Sequence, residues 1–150
     1  MTTSASIAHH PAPSGHLRSA LLAQGRTPTV VSLMALAAAL VAGSGAIHFY
    51  LWDIAYRNVA TFDVLFMLQG VSAVVVALAL VGVRRGFVLV AAAGLMLGTL
   101  LGFVLVLTTG LFGFKLPVVT GWAYLSIVVE AVAVVVVASA GALLWRASAD

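Results

Sequence analysis

The sequence predicts an all-α fold: a four-helix transmembrane bundle running up-down-up-down, with both termini in the cytoplasm. Composition is the first sign. Hydrophobic residues make up 63% of the 150-residue chain, Asp, Glu, Lys and Arg together only 7%, and the mean hydropathy is +1.21. A soluble domain carries about 25% charged residues, so too few polar side chains remain here to cover a water-facing surface. The second sign is that the apolar residues gather into four runs, each meeting the ~20 residues that cross ~30 Å of hydrocarbon at ~1.5 Å per residue. The third is that the links between runs are short, which forces neighbouring helices antiparallel.

The elements follow in order. Residues Met1 to Thr29 form a polar tail holding His9, His10, His16 and most of the prolines. It reads as disordered and solvated, with Leu17 to Gln24 as a short interfacial helix at most. The spans are Val30 to Leu51, Phe62 to Val83, Phe87 to Leu111 and Val118 to Leu144, within a domain from Val30 to Arg146. Small residues at Gly43-Ser44-Gly45-Ala46 invite a signal-peptide reading, but the apolar run continues past them and the preceding tail is long. The first helix is therefore read as retained. Arg18, Arg26, Arg84, Arg85 and Arg146 fall on one side of the membrane and Arg57 and Lys115 on the other. The excess of positive charge marks the cytoplasmic side. Trp52, Tyr56, Trp122 and Tyr124 then lie at the outer interface, where amphipathic rings prefer to sit. A multi-pass protein of the plasma membrane is the expectation.

Several function classes drop out. The formal charge of +3 comes from basic residues scattered along the chain, with no basic stripe interleaved with aromatics, so nucleic acid is not an expected partner. Without cysteine there is no disulfide, thiolate nucleophile or Cys-ligated metal. Phosphate-binding glycine loops and the HExxH and GxSxG patterns are absent. No pair of similar halves with broken helices argues for a secondary transporter. No catalytic residue is predicted.

The strongest pointer to a site is Glu130, near the middle of the fourth run. An ionisable group at that depth costs about 2.5–3.5 kcal/mol on insertion scales, so it must face other protein or a wet cavity. Counting ~1.5 Å per residue from the outer interface, His48 lies ~5 Å deep, Gln69 ~10 Å and Glu130 ~12 to 15 Å. Thr108 and Thr109 fall in the same outer half, and Thr99 lies deeper. These groups could converge on one outward-opening pocket if the helix rotations allow. Glu130 as a neutral acid could donate to Gln69 or a Thr hydroxyl, whereas a nearby His48 could hold it as a carboxylate. Proton transfer, cation binding and a quinone carbonyl are each served by such a group, and so is a packed polar pair that fixes helix register. His48 is a weak candidate for a metal or haem. It is the only histidine outside the tail, and Glu130 and Asp53 supply too few further ligands. No cofactor is predicted; haem, metal and quinone remain as alternatives.

Structural roles are expected elsewhere. Asp53 and Arg57, spaced i, i+4 in the outer loop beside Tyr56, form an exposed pair worth about 0.3–0.5 kcal/mol. Thr61 or Asp63 caps the second helix. Gly94, Gly98 and Gly102 make a GxxxGxxxG face of the kind that lets helices approach closely in lipid, within the bundle or against another chain. The segment Gly110 to Pro117 reads as an apolar hairpin hugging the outer interface, with Phe112 and Phe114 as anchors.

The stretch Gly45-Ala46-Ile47-His48-Phe49-Tyr50-Leu51-Trp52, with Tyr56-Arg57, Leu65-Phe66-Met67-Leu68-Gln69, Leu111-Phe112-Gly113-Phe114 and Val129-Glu130, resembles a group of small four-span actinobacterial membrane proteins. Their pattern is an Ala-Ile-His-Leu-Tyr-type motif, a Tyr-Arg soon after, a Gly-Leu-Phe-Gly-Phe hairpin and a glutamate in the last helix. The resemblance covers about Ala46 to Ala131 and carries no assigned activity. It marks His48, Tyr56, Arg57, Gln69 and Glu130 as the residues to test. Small size, missing catalytic motifs and glycine-lined faces point to a non-enzymatic accessory or structural subunit of a larger membrane assembly, or to a homo-oligomer, with the lipid bilayer as the constant partner. The alternative is a redox, quinone or proton/ion-handling protein with an outward-side polar site at His48, Gln69 and Glu130.

Overall fold

The computed structural model describes residues 28–83, 85–116 and 118–147. The N-terminal tail up to residue 27, with its histidines, Arg18, Arg26 and the segment Leu17 to Gln24, lies outside the described residues, as do Arg84 and Pro117. The fold is all-helical: α1 (Pro28–Leu51), a π-helical turn (Trp52–Tyr56), α2 (Phe62–Gly82), α3 (Gly86–Thr108) and α4 (Gly121–Ala147). All four helices are long and apolar enough to cross a membrane, so the chain is read as an integral membrane protein.

The helix ends differ from the sequence reading, each for a local reason. The first helix starts at Pro28, since the missing N–H of proline is no loss in a first turn. Beyond Leu51 it continues rather than ending, because the Trp52 carbonyl accepts the Arg57 N–H at 2.9 Å in an i, i+5 bond. The third helix stops at Thr108, short of Leu111. Gly110, at φ 83°, turns the chain away while its N–H bonds back to Leu105 O at 2.8 Å. The fourth begins only at Gly121, where the Thr120 hydroxyl accepts the Ala123 N–H at 3.3 Å. Of the two proposed caps for α2, Asp63 accepts the Val64 N–H at 2.6 Å, while Thr61 makes no side-chain cap bond and sits at φ 72°.

The helices pack in a ring, α1 on α2, α2 on α3, α3 on α4 and α4 on α1. The α1–α2 contact is the most extensive and α2–α3 the least. Large apolar side chains such as Val75, Leu78, Val90 and Val135 face outward, as lipid allows. Lipid tails are as apolar as leucine, so association here rests on close packing rather than on a hydrophobic driving force. The α1–α2 crossing shows this. A Cβ added to Gly45 would lie 2.9 Å from the Ala73 Cβ and 3.2 Å from the Gly70 carbonyl, and one added to Gly70 would lie 2.7 Å from the Phe49 ring.

Two zones stack along the bundle. Toward the α2–α3 end of the bundle an apolar core forms from Met34, Ala37 and Val41 of α1, Ala77 and Leu80 of α2, Leu89 and Met96 of α3, and Val137 and Ala140 of α4. At the other end, beside the π-helical turn and the Leu111–Phe114 hairpin, the helices border a partly open cavity.

Candidate functional site

The cavity has a volume of about 480 Å³ and is mostly apolar. That volume falls in the ordinary range for small-molecule sites, about 300–1,000 Å³. His48 from α1, Gln69 from α2, Thr99 from α3 and Glu130 from α4 all line it. Residues picked from three separate spans therefore share one space.

Glu130 is 1% exposed. Its Oε1 accepts two hydrogen bonds at 2.9 Å, from Ser44 Oγ of α1 and from Ser126 Oγ one turn earlier on α4. Its partners are thus serines, not Gln69 or a threonine. Among the described residues nothing bonds Oε2. The arrangement suits a carboxylate, or an acid whose proton sits on Oε2. His48 is 6% exposed. Its Nδ1 lies 2.9 Å from the Ser44 carbonyl and 3.9 Å from Glu130 Oε1. A carbonyl oxygen only accepts, so Nδ1 carries a proton and the imidazole is held in a fixed orientation. Nε2 has no hydrogen-bond partner among the described residues. Ser44 is the hub, with its carbonyl on the imidazole and its hydroxyl on the carboxyl group.

Gln69 lines the same cavity but joins neither bond network. Its Nε2 is buried with no hydrogen-bond partner. An unpaired buried donor costs about 1–3 kcal/mol, so this amide asks for an acceptor.

Aromatic rings roof the cavity. The π-helical turn brings Tyr56 inward, where it stacks on Phe66 with centroids 4.2 Å apart and an angle of 15°. A regular α-helical turn would place residue 56 about one position differently around the axis. Phe114 meets Phe62 at 4.8 Å and Tyr56 edge-on at 6.1 Å. Phe114 therefore turns into the bundle, while Phe112 on the same hairpin is exposed. The hairpin is held by paired bonds between Leu111 and Phe114, with Phe112 at φ 49° and Gly113 at φ 79° as the positive-φ turn residues. His48 touches the same group, its ring 5.2 Å from Phe66.

The other residues marked in the sequence fall in different places. Gly94, Gly98 and Gly102 do not pack against another helix of the chain. A Cβ added at any of them meets nothing within 4 Å, and all three line the cavity. The close crossing instead uses Gly45 and Gly70 of the α1–α2 pair. Thr108 and Thr109 do not join the cavity. They are exposed, and their hydroxyls return to Val104 O at 2.7 Å and Leu105 O at 3.5 Å. Thr99, placed deeper, does line the cavity, but its hydroxyl donates to Leu95 O at 2.8 Å. Outside the cavity, Arg57 and Asp53 form the expected exposed pair at 3.3 Å.

Sequence reasoning missed Ser44, Ser126, Phe62 and Phe66. A signal existed for the serines. Ser126 stands four residues before Glu130 and Ser44 four before His48, which puts each on the same helix face as the group it serves. Among the described residues, no group of three or more His, Asp or Glu is arranged to hold a metal ion. Comparison with known proteins returns no matching family model, no matching curated protein and no matching solved structure.

Proposed function

We propose that the protein binds a small lipid-soluble molecule of quinone type within the membrane, using His48, Gln69 and Glu130 to hold its polar edge. One observation carries this reading: polar side chains from three helices, among them the Gln69 amide whose buried nitrogen has no hydrogen-bond partner, line one aromatic-roofed apolar cavity. A quinone ring matches that chemistry. Its carbonyl accepts from the Gln69 amide, its faces lie against Phe66 and Tyr56, and the hydroxyl of its reduced form donates to His48 Nε2 or Glu130 Oε2.

The wider setting is part of the same proposal. Both termini lie in the cytoplasm, the helices run up-down-up-down through the plasma membrane, and the site sits in its outer half. The positive-inside excess supports this.

The test is binding of a decyl-naphthoquinone to the full chain in lipid nanodiscs, read by quenching of tryptophan fluorescence against empty nanodiscs. Saturable binding is expected, weakened about tenfold or more by His48→Ala or Gln69→Leu. Glu130→Gln keeps an acceptor oxygen for Ser44 and Ser126, so it keeps the fold. Quenching that never saturates, or that is equal in wild type and both variants, refutes the reading.

A further inference from the structure

We infer that the cavity is a two-part lipid site: the polar end takes a ring, and a slot along Gly94, Gly98 and Gly102 takes the hydrocarbon tail of the same molecule. The inference rests on the quinone-type reading and adds the tail. The three glycines line the cavity, yet Gly94 and Gly98 are themselves exposed. The cavity is therefore open along α3 and reaches the lipid-facing surface there. Residues four apart stand on one face and step ~6 Å along the helix, so the row is ~12 Å long. Any side chain larger than hydrogen would project into this opening, since the space beyond each Cα is empty to 4 Å.

The slot is apolar. Leu95 and Ile127 flank it, and the Thr99 hydroxyl beside it is returned to its own helix. The buried polar atom in need of a partner, Gln69 Nε2, stands instead at the His48–Gln69 end. A row of small residues would mean little alone. The buried Gln69 Nε2, which has no hydrogen-bond partner and lines the same cavity, supplies the independent sign of a ligand. A molecule polar at one end and apolar along its length satisfies both parts. Such a molecule arrives from the bilayer through the slot rather than from water through the aromatic roof.

The experiment compares two probes in nanodiscs: a 1,4-naphthoquinone without a tail, and the same ring carrying a decyl tail. Wild type is expected to bind the tailed probe about tenfold more tightly than its partition into empty nanodiscs explains. Gly98→Leu should abolish that preference while weakening the tail-less ring far less than the tailed one. Gly94→Leu is the second variant, and retained binding of the tail-less ring shows that each variant is folded. Gln69→Leu should weaken both probes alike. If the tail-less ring binds but Gly98→Leu leaves the tail preference intact, the slot is overturned while the ring site stands. If neither probe binds wild type, both readings fall. If Gly98→Leu instead dissociates an oligomer, the glycine row is a helix–helix face and the inference is overturned.

Discussion

Two glycine-to-alanine substitutions should change stability in opposite directions. At Gly45 the new Cβ would sit 2.9 Å from the Ala73 Cβ and 3.2 Å from the Gly70 carbonyl oxygen. Ala73 is fully buried, and a carbonyl in mid-helix has no rotamer to retreat into. The α1–α2 pair must therefore separate by several tenths of an ångström along its most extensive contact. Overpacking of this kind costs about 1–3 kcal/mol. Alanine returns about 1 kcal/mol of helix propensity, which leaves Gly45→Ala destabilised by up to about 2 kcal/mol. At Gly98 the new Cβ meets nothing within 4 Å. Only the propensity term applies, so Gly98→Ala should be neutral or stabilised by up to about 1 kcal/mol. The assay is reversible unfolding in mixed micelles titrated with SDS, followed by circular dichroism. A Gly98→Ala chain destabilised as much as Gly45→Ala would refute the placement of the two glycine faces.

Other expectations concern the polar network and the loops. Ser44→Ala and Ser126→Ala should each cost about 0.5–1.5 kcal/mol in the same assay, with a coupling energy above about 0.5 kcal/mol because both hydroxyls donate to one oxygen. Strictly additive losses would show that Glu130 does not depend on the pair. Thr61 holds φ 72° and ψ −42°, a costly conformation for a β-branched residue. Thr61→Gly should therefore raise the unfolding midpoint, and a lowered midpoint would speak against the strained turn. Asp53→Asn breaks an exposed pair and should shift stability by less than about 0.5 kcal/mol. A larger loss would mean that the Asp53 carboxylate has a further role.

The spans and the polar positions were legible in the sequence because lipid imposes coarse rules. Twenty apolar residues are a length criterion, and a glutamate among them is conspicuous whatever its rotation. Helix rotation was not legible. All four helices are apolar almost all round, so no amphipathic stripe says which face turns inward. That is why Gln69 and the serines could not be ranked as partners of Glu130, and why Gly94, Gly98 and Gly102 read as a packing face. Glycine spacing marks where a side chain is missing. Whether a neighbour or a void fills the gap depends on where the next helix lies. The inward turn of Tyr56 was hidden for another reason. It depends on one i, i+5 bond from Trp52 O to Arg57 N, and nothing in the local composition announces that bond.

The central claim is that the chain holds a lipid-soluble molecule at His48, Gln69 and Glu130. The most direct measurement is mass spectrometry and absorption spectroscopy of the organic extract from protein purified in mild detergent out of its native membrane. Wild type and a Gln69→Leu chain that still folds should be run side by side. One defined small molecule near equimolar with wild type, and lost in Gln69→Leu, is the predicted result. Bulk phospholipid alone in both extracts would contradict it.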